Sequence, residues 1–314
     1  MTCSNSLTGP LGLIELTPCN DKRVIAPLIK TAVTLGAASL AYAWGFESRN
    51  YQLRQYQIKL LPANHRDVKI LHLSDLHLSP WQKKLPDWLS QHPVEPDLIV
   101  LTGDVWSNQN SFAVVIKALE KYFKKPGFFV PGSNDYFAPQ LKNPLKYLKQ
   151  DDGKRHKGKE LPWRDLKNLV ELAGWQWLSN KSTELQINDT KFDVRGVDDA
   201  HYDFDDLNTV NHPKSESADL LLGLTHAPYL RVLDTYSNIN ADLILAGHTH
   251  GGQICLPIYG TIITNCDLPR ELAKGLNRYQ DKTWLHVSAG LGTAPFTRIR
   301  FFCQPEASLI TLTS

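Results

Sequence analysis

Cysteine is scarce and unpatterned in this chain: Cys3, Cys19, Cys255, Cys266 and Cys303 are the only five among 314 residues, and no two form a C-x-x-C pair. An odd count without paired spacing argues against a disulfide framework and leaves the compartment open. No charge of one sign dominates either. Lys and Arg number 34 against 32 Asp and Glu, a formal net charge of +2; that is no general basic footprint, so nucleic acid is not an expected partner. Long hydrophobic runs are also wanting. The uncharged apolar stretch Thr31 to Phe46 has sixteen residues, where a membrane-spanning helix needs about 20. What the chain does have is 42% hydrophobic and 10% aromatic residues, ample for a packed core in one large domain or two small ones.

Residues 1–23 read as an N-terminal tail and 24–46 as an apolar helix, interrupted by Pro27 and Lys30 and closed by Glu47, Arg49 and Arg54. Lys30 can snorkel from near one end. The segment is therefore expected to be an anchor or uncleaved signal that associates the protein with a membrane, against the alternative of a helix packed on a cytoplasmic domain. Lys22, Arg23 and Lys30 favour an N-terminus inside the cell.

The main domain is expected over 66–314. Val68–Leu73, Asp97–Leu101 and Gly127–Val130 read as strands, and Ser111–Phe123 and Pro162–Ala173 have helical apolar spacing. Short strands then crowd together at 185–187, 192–195, 220–225, 243–246, 284–288 and 308–312. Two packed sheets flanked by helices suit that balance better than one doubly wound sheet. The run Lys149–Glu160 is a charged loop with a basic centre, read as solvated rather than as an anion-attracting rim or a membrane-surface contact.

Chemistry-bearing residues gather where strands end. The first strand runs into Ser74-Asp75-Leu76-His77, where D-x-H spacing puts both side chains on one side of an extended chain. The second runs into Gly103-Asp104, the third into Gly132-Ser133-Asn134-Asp135, a later strand into His226, and another into Gly247-His248-Thr249-His250-Gly251-Gly252-Gln253. Any one of these could be a helix cap or a hydrogen-bonded core histidine. Five strand ends carrying such residues point instead to metal, because ligands of α/β sheets collect outside the carboxyl ends of the strands. So many oxygen and imidazole donors exceed one tetrahedral ion, so two ions sharing a carboxylate are expected.

This pattern resembles the calcineurin-like metallophosphoesterase superfamily over about residues 66–314. Gly196-Val197-Asp198-Asp199, the stretch His286–Gly292 and the closing Arg300–Leu312 resemble its bacterial branch of membrane-anchored phosphohydrolases. The resemblance implies a four-layer αββα sandwich of two mixed sheets flanked by helices, and hydrolysis of a phosphate mono-, di- or pyrophosphate ester, lipid-linked esters included, by a metal-bridging hydroxide. It implies that Asp75, His77 and His250 bind a first divalent ion, that Asp104 bridges, and that His226 and His248 bind a second; manganese, iron, zinc and magnesium all suit the donors. The third motif departs from the family's Gly-Asn-His-acid. Ser133 stands in the slot of the asparagine ligand and Asn134 in that of the histidine that assists the leaving group. An amide carbonyl is the better ligand for a hard cation, so Asn134 is expected at the second ion and in the catalytic set with Asp104, the alternative being Ser133. The acidic segment Asp198–Asp206 is expected to be a solvated loop with capping aspartates, and Cys255 and Cys266 to be core residues. Two rival functions are a metal-binding interaction scaffold without turnover, which need not keep all six Asp and His positions, and a nuclease, which the lack of a basic groove disfavours.

Overall fold

The computed structural model describes residues 22–140, 155–294 and 296–314. Residues 149–154 of the charged run 149–160 therefore lie outside the described residues. Helix α1 (Lys22–Gly45) comes first and contains Pro27. Among the described residues no helix is long and apolar enough to cross a membrane.

Tyr42–Ser314 is one compact unit. In chain order its elements are β1 (Gln52–Lys59), β2 (Val68–Leu73), α2 (Lys84–Gln91), β3 (Leu98–Leu101), α3 (Phe112–Leu119), β4 (Gly127–Phe129), α4 (Ser133–Tyr136), α5 (Trp163–Leu172), β5 (Gln176–Trp177), β6 (Lys181–Ile187), β7 (Thr190–Gly196), β8 (Leu220–Leu224), α6 (Leu230–Asn238), β9 (Leu243–Ala246), β10 (Cys255–Leu256), β11 (Gly260–Thr261), β12 (Gly275–Tyr279), β13 (Thr283–Val287) and β14 (Glu306–Thr313). Two six-stranded mixed sheets result, ordered β1-β14-β2-β3-β4-β5 and β12-β13-β9-β8-β7-β6. Parallel strands form the heart of each, β2 to β5 in one and β7, β8, β9 and β13 in the other.

Period-two alternation decides which side chain enters which layer. In β2, Val68 and Ile70 face the second sheet and pack with Val100, Phe128, Leu222 and Leu245. Leu71 and Leu73 turn the other way, against Leu85 of α2, Val115 of α3 and Leu166 of α5. On the far side of the second sheet, Leu221, Ile244 and Val287 meet Val232 and Leu233 of α6. The architecture is thus the expected helix–sheet–sheet–helix sandwich.

One strand lies before the expected domain start at residue 66. β1 pairs in parallel with β14 from Gln52↔Glu306 to Lys59↔Thr313. Its sequence, Gln-Leu-Arg-Gln-Tyr-Gln-Ile-Lys, is half-exposed as an edge strand, and so offers only a thin apolar signal.

At the end of β4, Phe129 is fully buried and its ring stacks on Trp177 at 4.5 Å. It anchors the strand that delivers residues 131–135. Phe129→Ala should lower stability by about 3–5 kcal/mol, read as a fall in the denaturant midpoint of the full chain.

Candidate metal centre

The loops that follow β2, β3 and β9 have backbone bent into the left-handed region. Asp75 (φ 51°), His77 (φ 43°), Asp104 (φ 53°), His248 (φ 70°) and His250 (φ 51°) all have positive φ. That conformation costs a residue with a Cβ about 1–2 kcal/mol, and five such residues around one point mark a site where strain serves function. Asp75 and His77 therefore do not share a face of an extended chain, as their spacing suggested. They converge because hydrogen bonds to the next loop, Asp75 N to Gly103 O at 3.0 Å and His77 N to Asp104 O at 2.9 Å, curl the chain about Asp104.

The side chains meet closely. His77 Nε2 lies 3.1 Å from His250 Nε2, and their rings are stacked with centroids 4.9 Å apart. Asp75 Oδ1 is 3.5 Å from His250 Nε2 and 3.9 Å from His77 Nε2. Asp104 Oδ2 is 3.6 Å from His77 Nε2 and 3.5 Å from His226 Nε2. Two triads with ligand atoms inside 4.8 Å follow, Asp75–His77–His250 and Asp75–Asp104–His226, all buried. His248 adjoins the second: its ring lies 5.2 Å from that of His226, and its backbone N–H donates to Asp75 Oδ2 at 2.9 Å.

These donors fit cations. Asp75 Oδ1 and His226 Nε2 are buried atoms with no hydrogen-bond partner, and a buried polar atom left bare is costly. By contrast, Asp75 Oδ2 is fully engaged, accepting from Ser74 Oγ at 2.6 Å as well as from His248 N. One oxygen of the carboxylate is pinned by the protein while the other faces the imidazoles. Burial pushes the Asp75 carboxyl up and the His250 imidazole well down. Burial also opposes charge on Asp104 and His226, but their mutual attraction overrides it, holding Asp104 well below and His226 well above the ordinary values. Carboxylates and imidazoles suit borderline divalent metals.

The third motif divides its work. Asp135 Oδ2 accepts from the backbone N–H of Asp104 and of Gly132, both at 2.8 Å, and its Oδ1 accepts from Val105 N at 2.9 Å. This stitches the β3 and β4 loops together. Asn134 donates from its backbone N to Asp104 Oδ1 at 2.8 Å and from Nδ2 to Asp104 Oδ2 at 2.6 Å. Ser133 turns elsewhere and donates to Asp199 Oδ2 at 2.8 Å. Gly132 has no room for a side chain: a Cβ there would stand 2.5 Å from Asp104 Oδ1 and 2.7 Å from the His226 ring.

One expectation needs amending. Asp198–Asp206 is only partly a solvated loop. Asp206 does cap a short helical turn through Asn208 N, but Asp199 is fully buried behind Ser133, and burial pushes its carboxyl up to about 7. Further groups support the centre from behind. Thr102 Oγ1 donates to Ser74 Oγ at 2.8 Å and lies 2.8 Å from His72 Nε2, whose Nδ1 is 2.9 Å from His286 Nδ1 in the opposite sheet. Nothing in the sequence singled out Thr102 or His72 beyond their lying in buried runs, and His286 stood out only as the start of the stretch His286–Gly292. Cys255 is buried, as expected, with Cys303 beside it; both thiols donate to the Gly251 carbonyl, while Cys266 is half-buried.

Residues 68–252, which include every one of these expected metal-site residues, match the family model described as calcineurin-like phosphoesterase. The chain is 31% identical over 256 residues to the uncharacterized metallophosphoesterase YkoQ of Bacillus subtilis, covering 79% of this chain and 84% of that protein. It is 29% identical to the uncharacterized metallophosphoesterase YkuE of the same organism, covering 93% and 96%. It is 26% identical to the phosphodiesterase YaeI of Escherichia coli, covering 88% and 96%. With the family match spanning more than half its length and converging on the buried Asp and His cluster, the chain belongs to the calcineurin-like phosphoesterase family and is a metal-dependent phosphoesterase.

Proposed function

We propose that the protein hydrolyses a phosphate mono-, di- or pyrophosphate ester at a dinuclear centre, with Asp75, His77 and His250 holding one divalent cation, His226, His248 and Asn134 the other, and Asp104 between them. The observation that carries this reading is the convergence of bare Asp75 Oδ1 and His226 Nε2 with Asp104 in one buried triad, beside loops whose backbone is strained. Two such cations, when bound, supply Lewis acidity and a water activated at neutral pH.

The chain's own groups do the rest. Asp104 is oriented before anything binds, because Asn134 grips both of its oxygens and His77 and His226 flank it from the two sheets. Pinning Asp75 Oδ2 through Ser74 and His248 N fixes which oxygen is presented. Asn134 stands where the family's leaving-group histidine would, and an amide can donate a hydrogen bond but cannot deliver a proton. General acid help commonly contributes roughly 10²–10⁴-fold, so turnover here should depend on the leaving group's own ability to depart.

Asp104→Asn should cut hydrolysis of a generic aryl phosphate at least about 100-fold, beyond what loss of a supporting outer residue costs, and should lower metal content measured by elemental mass spectrometry. Two ions still bound per chain would refute the bridging role. Asn134→Ala should weaken one of two metal-binding events in a titration while Ser133→Ala stays mild; the reverse ranking would assign the ligand slot to Ser133. Across a series of aryl phosphates, rate should rise steeply as leaving-group pKa falls, and a flat series would show that another residue supplies the proton.

A further inference from the structure

Exposed large apolar side chains are not scattered over the unit formed by Tyr42–Ser314. Among the described residues, all but Leu172 lie in segments 42–46, 256–262 and 296–302, or at Trp81. The three segments adjoin: Arg300 N donates to Ala43 O at 3.2 Å, Cys303 N to a Glu47 carboxylate oxygen at 2.6 Å, and Cys255 N to Phe301 O at 2.8 Å. Trp81 joins them through Arg298, whose guanidinium lies over its ring at 5.8 Å. Together they form one apolar belt, and a contiguous exposed patch of this kind marks an interaction surface.

Its geometry names the partner. Ile258 tips the β10–β11 hairpin with its side chain wholly exposed and its φ at 69°. A β-branched residue in left-handed backbone is strained, and no burial within the chain offsets that strain. Phe302 repeats the arrangement at φ 49° and 55% exposure. Such projecting apolar tips suit a fluid layer they can enter. The cations follow the same logic: Arg270 lies over Tyr259 at 3.9 Å and Arg49 over Trp44 at 5.2 Å, like Arg298 over Trp81. Aromatic rings and arginine shafts combine an apolar body with a polar head, the composition of residues at a membrane–water interface. The chain leading into the belt carries no charged residue from Thr31 to Phe46.

We propose that this belt docks the protein on an anionic lipid bilayer, with Ile258 and Tyr259 entering the acyl boundary and Arg49, Arg270 and Arg298 facing headgroup phosphates. The attachment is peripheral and needs no spanning helix. It brings the candidate centre close to the lipid surface, since only Gly251–Ile254 separate His250 from the hairpin. The docking itself rests on the belt and not on the chemistry proposed above.

The test is flotation of the full chain with vesicles of phosphatidylcholine, with and without phosphatidylglycerol. Wild type should float with the anionic vesicles, and Ile258→Asp/Tyr259→Asp should reduce the partition coefficient at least about tenfold, given the apolar burial lost. The double variant should keep its circular dichroism and any aryl phosphate hydrolysis, because neither residue belongs to the metal site. Equal flotation of the two proteins would overturn the proposal. So would failure of wild type to float together with self-association, measured by sedimentation, that the double variant abolishes; that result would make the belt a protein interface. Loss of flotation in the variant supports docking even where no phosphate ester is turned over, an outcome that would count against the proposed function alone.

Discussion

Everything at the candidate centre depends on keeping the Asp104 carboxylate ionised and oriented in a place where water cannot help it. Burial alone would protonate it; His226 and His77 prevent that from opposite sides, and Asn134 holds both oxygens. His77 comes from the loop after β2 in one sheet and His226 from the loop after β8 in the other. The electrostatic balance at one carboxylate therefore exists only while two sheets are packed face to face, so the fold and the site stand or fall together.

Support for that balance is distributed through backbone and second-layer groups. Asp135 gathers three N–H groups from two loops and, with the Asn134–Asp104 bonds, ties the Gly103 and Gly132 turns together. Ser74, Thr102, His72 and His286 form a buried polar line from the Asp75 carboxylate into the space between the sheets. Burial holds both of those imidazoles well below their ordinary pKa, so the line is neutral and adds no charge to the centre. A buried network of this kind rigidifies when fully satisfied; here only His286 Nε2 at its far end is bare.

Much of the site was legible because its residues follow hydrophobic strands in a fixed order, and the alternation of β2 or the run Leu243–Ala246 needs no partner to be recognised. Asp75, His77, Asp104, His226 and His250 were found this way and do come together. The extended conformation expected for Asp75 and His77 is not adopted, because φ at a loop residue is imposed by hydrogen bonds to Gly103 and Asp104, 28 and 27 residues away in sequence. β1 was missed for a related reason: an edge strand buries one face only in part, so its pattern is weak until β14 supplies the pairing.

The sequence by itself determined which residue types stand at the strand ends, and that the third motif carries Ser133 and Asn134 in place of the usual pair. Those are properties of local order, fixed by side-chain chemistry and period. Tertiary structure alone decided that Asn134 grips Asp104 while Ser133 turns to Asp199, that Asp199 is buried instead of solvated, and that apolar residues from three distant segments form one belt. Such outcomes depend on which loops are brought within hydrogen-bonding distance, about 3 Å, and that is set by the packing of two sheets and not by any stretch of chain read alone.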